Sequence, residues 1–304
     1  MTTRWLALVA LLATAAAWGG SFVVTKGAFE HLSPLAVVAA RLIITGAVLG
    51  VVFIRQLRMP VADLVWGSAL GLIFAAALAT QTIGLGLIAP SMSGFLTATY
   101  VLFTAVIVAV LFRQRQPWTT WVAVIVMVAG ISVLAVGQTG QASDLRLGVI
   151  VSLIGALLYA VHIVFLGRRV TRRNLSHLIV MQAVAGGAAG MVMWPSLGEP
   201  LPTDPSAWWP LLYLGVVSGA IALLTQTWAQ SIVAATPAAV IMCSEPVWAA
   251  GLAVAWGFEL FTASLLVGGS LVVIGLLLAV LPGERGRTAD DVVEDLGDTG
   301  HGGA

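Results

Sequence analysis

Two full charges, Arg41 and Glu245, lie inside long apolar stretches of the sequence. Each would cost about 2.5–3.5 kcal/mol or more at the centre of a membrane helix, so such residues seldom face lipid and commonly mark an ion or substrate path. A carboxylate at Glu245 can exchange a proton as its surroundings open and close, or it can hold two helices together through hydrogen bonds. Arg41 can bind an anionic group of a solute, or it can brace carbonyls and carboxylates. Trp18 lies too far along the first stretch for an interfacial belt, which leaves an aromatic wall, a gate or core packing. Gln81 and Gln226 can bind polar solute groups or bridge helices. Tyr100 offers one hydroxyl and an aromatic face. Tyr159, His162 and Gln182 form a weaker set of the same kind, and Trp228 and Trp248 can line a pocket or serve as anchors. Lys26, the only lysine, reads as interfacial. Pro246 removes a backbone donor beside Glu245 and is expected to free the carbonyl of Met242.

The elements that must position these groups follow from composition. The chain has 304 residues, 60% of them hydrophobic and 9% charged, against roughly a quarter charged in a soluble domain. An ordinary water-soluble protein is excluded. Windows of membrane length fall near residues 5–25, 34–54, 62–87, 91–112, 118–137, 147–167, 177–195, 207–231, 237–257 and 261–281. These runs are far longer than barrel strands, so each must satisfy its backbone internally as a helix. The expectation is an all-α polytopic membrane protein with ten transmembrane helices. Arg4 and the run Ala15–Ala17 give the first span a loose likeness to a signal peptide, but a membrane helix is the reading adopted. The single cysteine, Cys243, excludes an internal disulfide.

Orientation follows from the bias of basic residues toward the cytoplasmic side. With the N-terminus inside, cytoplasmic segments hold Arg4, Arg55, Arg58, Arg113, Arg115, Arg168, Arg169, Arg172, Arg173, Arg285 and Arg287, and the other side holds Lys26 and Arg146. A multi-pass protein of the inner (cytoplasmic) membrane with both termini cytoplasmic is expected. Residues 283–304, rich in glycine and acidic side chains, read as a disordered cytoplasmic tail.

A shift of 145 residues superimposes Thr80, Gln81 and Thr82 on Thr225, Gln226 and Thr227, and places Tyr100 on Glu245. The same shift carries Gly130 onto Gly275. Trp18 matches Tyr159, and Leu32–Ser33 matches Leu175–Ser176, at other offsets. The chain therefore divides into a five-helix repeat over 1–142 and a second over 143–282. Five crossings per half reverse the second half, and inverted repeats are a recurring transporter construction in which the halves rock about a central site. Glycine pairs Gly67 and Gly71, Gly186 and Gly190, and Gly215 and Gly219 have the spacing that lets helices pack closely.

Trp18, Gly19, Ser21, Lys26, Pro34 and Arg41 in the first half, with Glu245, Pro246, Val247, Gly257, Glu259, Leu260, Gly268 and Gly275 in the second, resemble an EamA-type member of the drug/metabolite transporter superfamily. The resemblance implies two inverted five-helix halves that move small organic solutes, often outward and by ion coupling. One departure is Gln114, which stands where the matching acid to Glu259 is common.

The resulting expectation is a secondary transporter that exports a small metabolite or drug-like solute by alternating access, with protons as coupling ion. An uncoupled facilitator or exchanger of the same architecture is the alternative, ahead of a membrane enzyme or scaffold. No P-loop, dinucleotide loop or HExxH motif occurs, so no cofactor, metal site, nucleic-acid partner or enzymatic activity is expected. The lipid-facing surface is compatible with a homodimer.

Overall fold

Because the apolar stretches offer no water to their backbones, each closes its own hydrogen bonds, and the computed structural model is built of helices. It describes residues 2–113, 118–136, 142–171, 173–230, 232, 241–242 and 244–280. The helices are α1 (Thr2–Ala28), α2 (Pro34–Val52), α3 (Val61–Leu87), α4 (Pro90–Ala98), α5 (Tyr100–Leu111), α6 (Trp118–Val136), α7 (Ala142–Arg169) and α8 (Leu175–Leu197). They continue as α9 (Trp208–Leu212), a π-helix (Tyr213–Ile221), α10 (Ala222–Gln230), α11 (Glu245–Ala255) and α12 (Ala263–Val280). Among the described residues, eight helical stretches are long and apolar enough to cross a membrane, and Ala263–Ala279 is a shorter apolar helix. The tail from 283 and Cys243 lie outside the described residues.

Three expected spans differ in detail. The fourth breaks at Thr99 into α4 and α5, where the Thr99 hydroxyl bonds back to the Leu96 carbonyl at 2.6 Å. The eighth contains the π-helix, whose wider turn shifts the backbone pairing. In the ninth, the described helix begins at Glu245, with Pro246 in its first turn. A proline there forgoes a donor that no helix start uses. Ile241 and Met242 ahead of Pro246 are also helical and Ser244 forms a turn, so among the described residues the helical path is interrupted next to the proline.

Close helix approaches rest on glycine. A Cβ on Gly46 in α2 would lie 2.7 Å from the Ala183 carbonyl of α8, and one on Gly71 in α3 would lie 2.5 Å from the Gln182 carbonyl. A Cβ on Gly130 in α6 would lie 2.7 Å from the Gly268 carbonyl of α12. The expected packing glycines behave accordingly: Gly67 meets Met181, Gly190 meets the Ala39 carbonyl, and Gly215 meets Ile44. Beside the α6–α12 crossing, Phe95, Met127, Leu134, Val272 and Leu276 form a buried apolar cluster.

Polar contacts define two ends of the bundle. At one, the C-terminal end of α1 meets that of α3 through Lys26, and the segment after α11 meets the start of α4 through Glu259. At the other, Asp63 at the start of α3 meets Asn174 and His177 at the start of α8. The 27 residues of α3 separate these ends by about 40 Å at the helical rise. Near the Asp63 end, the Arg168 guanidinium lies over the Phe112 ring and that of Arg169 over the Trp66 ring, 4.0 Å from its centroid.

Candidate functional site

The π-helix brings Arg41 and Trp18 to one residue. In this segment the Ala222 amide bonds the carbonyls of Gly219 and Val217, passing over that of Ser218. The Trp18 indole of α1 donates to the Ser218 carbonyl at 2.9 Å, and Arg41 Nη2 of α2 donates to Ser218 Oγ at 2.9 Å. Two further bonds fasten the same segment: Tyr213 donates to the Ala17 carbonyl at 3.0 Å and Thr45 to the Gly215 carbonyl at 2.8 Å. Ser218 is 2% exposed, so both of its oxygens answer donors that would otherwise be unsatisfied in the interior.

Glu245 stands across from this node. Gly19 lets α1 approach the first turn of α11, where a Cβ would lie 2.6 Å from the Glu245 carbonyl. Arg41 lies within electrostatic reach of Glu245, Tyr159 and Tyr213. No ion pair joins Arg41 to Glu245, and the Glu245 carboxylate makes no hydrogen bond in the described structure. Both side chains lie deep in the protein yet keep partial exposure. A carboxylate, a guanidinium and aromatic hydroxyls within electrostatic reach of one another can bind a polar or charged group and exchange a proton.

A second chain of bonds crosses from α3 to α7. Gln81 Nε2 donates to Thr97 Oγ1 at 2.8 Å, and the Tyr159 hydroxyl donates to Gln81 Oε1 at 3.2 Å. His162 is 8% exposed and sits 2.5 Å from Gln182 Oε1, while Gln182 Nε2 donates to the Leu178 carbonyl. Phe74 packs edge-on to Tyr159 and tilted to His162. Gln81, His162 and Gln182 thus each take part in a hydrogen bond between helices. Tyr100 begins α5 and Gln226 lies in α10, both half-buried. Trp228 and Trp248 are 41% and 38% exposed, as anchors facing lipid would be. Among the described residues no group of three or more His, Cys, Asp or Glu side chains could hold a metal ion.

Lys26 does more than sit at an interface. Its ammonium donates to the carbonyls of Leu85, Gly86 and Ile88 at 2.7, 3.2 and 3.1 Å, satisfying orphan acceptors at the negative end of α3. Glu259 accepts from the Ser91 amide at 2.8 Å and from the Ser91 hydroxyl, at the positive end of α4. The tight turn between α3 and α4 is pinned from both sides. Gln114 lies outside the described residues.

Ser218, Thr97 and Ser91 had no signal in the sequence, because a small hydroxyl in an apolar helix is common and only its neighbours give it meaning. The Arg41–Ser218 bond joins residues 177 apart, beyond any local spacing rule.

These features define a polytopic helical membrane protein with a charged centre. The model of the EamA-like transporter family matches residues 5–136 and 146–281, and the chain belongs to that family. It is a membrane transporter by family. It is 24% identical over 268 residues to a Bacillus subtilis (strain 168) protein called "Uncharacterized transporter YdfC", covering 87% of each chain. A crystal structure described only as "Crystal structure of protein" matches with a TM-score of 0.66 and 21% identity, covering 93% of this chain and 99% of that one. That likeness concerns the fold.

Proposed function

We propose that the chain is a proton-coupled secondary transporter that exports a small metabolite or drug-like solute by alternating access. In this reading ten transmembrane helices form two inverted halves, 1–142 and 143–282. The observation that carries it is the Glu245 carboxylate, which makes no hydrogen bond among the described residues and lies within electrostatic reach of Arg41. An acid with fixed hydrogen bonds would be a brace; one without them is available to a proton or a solute.

Packing supports the two halves. Gly46 and Gly187 meet at the α2–α8 crossing, with Gly46 against the Ala183 carbonyl and Gly187 against that of Leu42. Both pairs are 141 residues apart, the same interval as between the starts of the two family matches. Gly130 and Gly268 each approach the other's carbonyl at the α6–α12 crossing. Reciprocal contacts of this kind are what a twofold axis running through each crossing produces.

Arg41 and Trp18, held by Ser218, form one wall of the path, with Tyr159 and Gln81 on another and Tyr100 and Gln226 bordering it. Loading Glu245 with a proton on one side and releasing it on the other biases the halves between outward-facing and inward-facing states. The arginine bias supports both termini on the cytoplasmic side of the inner membrane, with lipid around the bundle and a lipid-facing surface compatible with a homodimer.

The test is counterflow in proteoliposomes with labelled amino acids, nucleosides and drug-like amines. Saturable exchange of at least one solute is expected, and exchange should persist in Glu245→Gln only if the residue couples protons without gripping solute. Folded protein that moves nothing across the whole panel would remove the transport reading.

A further inference from the structure

The two ends of the bundle carry the same parts in different arrangements. At the start of α8 the sequence reads Asn174, Leu175, Ser176, His177, and ahead of α2 it reads His31, Leu32, Ser33, Pro34. Facing the first set, Pro60 caps α3, which carries Asp63 and Trp66; facing the second, Pro202 and Asp204 precede α9, which opens with Trp208. The Leu–Ser pairs are 143 residues apart, and the proline and tryptophan pairs each 142.

At the first end the acid is engaged. Asp63 Oδ2 lies 2.9 Å from His177 Nδ1, and Oδ1 accepts from Asn174 Nδ2 at 3.3 Å. Asn174 in turn donates to the Arg169 carbonyl at 3.0 Å. A carboxylate between the starts of two helices also meets two positive dipole ends. This contact ties α3 to α8 and to the end of α7.

At the second end the same acid is disengaged. Asp204 is fully exposed, and its carboxylate accepts from its own neighbour, the Ser206 amide, at 2.9 Å. That local bond holds its carboxyl below the usual carboxylate range. His31 lies within its electrostatic field without touching it. Beside His31 opens a cleft of about 500 Å³, bordered by Glu30, Ser33, Gly86 and Glu199. The Ser33 amide there is taken by Glu199 at 3.3 Å.

We propose that these are matched latches at opposite ends of the bundle, Asp63 with Asn174 and His177 at one and Asp204 with His31 at the other, and that closure of one excludes closure of the other. The inference rests on the inverted-repeat reading above, in which each half takes in turn the conformation that the other has left. The structure then represents the state with the Asp63 end latched and the Asp204 end open.

The test uses the full chain in a Cys243→Ala background, reconstituted in vesicles, and a short, reducible bis-methanethiosulfonate linker. One protein carries Asp63→Cys with His177→Cys, a second His31→Cys with Asp204→Cys, and a third all four. The first pair should link readily in the resting protein. In the four-cysteine protein, prior linking of one pair should slow linking of the other about tenfold or more, a coupling of ordinary allosteric size. Both links forming in the same molecule at the single-pair rates would overturn the proposal. Should the first pair fold poorly, His177→Gln in the protein bearing only the second pair answers the same question. Loosening one latch should speed linking at the other, and an unchanged rate would contradict the proposal. Mutually exclusive linking in a protein that moves no solute would keep the latches and remove the transport reading; solute flux with independent linking would do the reverse.

Discussion

Two glutamates of this chain occupy opposite situations, although both were legible as acids in or beside apolar helices. Glu259 is saturated: its carboxylate takes the amide and hydroxyl of Ser91 at the start of α4, while Lys26 caps the end of α3 on the other side of the same turn. Glu245 has no hydrogen-bond partner in the described structure, and the cation nearest it in electrostatic terms, Arg41, is bound instead to the neutral hydroxyl of Ser218. On the proposed function, the difference separates architecture from function. A charge whose bonds are all made to helix ends stabilises one conformation, whereas a charge left open at the centre of a bundle is free to change partner or protonation state. Cost supports the distinction, since an unpaired acid in a membrane interior persists against a penalty of several kcal/mol.

The largest expected effect that could break this contrast comes from Glu245→Gln. It should lower gradient-driven flux by roughly one to two orders of magnitude, the range of a lost coupling free energy, while thermal unfolding in detergent stays close to that of the parent. A large fall in unfolding temperature would mean that the residue is a brace after all. Glu259→Ala should behave in the opposite way. Losing charge-assisted bonds worth about 1.5–3 kcal/mol each should lower the unfolding temperature by several degrees, while flux per folded molecule is retained.

Lys26→Met sharpens the same side of the comparison. Its three carbonyl partners at the end of α3 would be left to each other, and a loss of about 1–3 kcal/mol is expected, read as a lower midpoint in the same unfolding assay. Smaller still is the effect of Ser218→Ala, which removes one acceptor from Arg41 and leaves the Trp18 bond to the backbone. Flux should fall by about tenfold, equivalent to roughly 1.4 kcal/mol, and Ser218→Thr should restore most of it. Failure of the threonine to restore flux would place the defect in packing rather than in the hydrogen bond.

Much of the fold was legible because membrane helices are written in long apolar runs, and the described spans begin and end within a few residues of those runs. Arg41, Glu245 and Trp18 stood out because full charges and a deep indole are conspicuous in such a background. Their partners did not. Ser218 acts through a π-helix, and no spacing of apolar residues announces a change of backbone pairing. Lys26 read as an interfacial anchor because its three acceptors belong to a helix end some sixty residues away. The repeat was visible in Thr80–Thr82 and Thr225–Thr227, where a single shift of 145 also makes Gly130 and Gly275 equivalent without making them neighbours. In the fold, Gly130 meets Gly268 and Val272, and Gly275 meets Met127 and Ala123. Loops of unequal length between the halves change the interval along the chain, and only packing reveals which residues face each other.

The most direct measurement is solute flux driven by an imposed pH gradient in proteoliposomes, with parent, Glu245→Gln and Glu259→Gln compared at equal amounts of folded protein. The account predicts that the gradient accelerates flux in the parent and in Glu259→Gln, and that this acceleration vanishes in Glu245→Gln. Equal responses to the gradient in all three would contradict it.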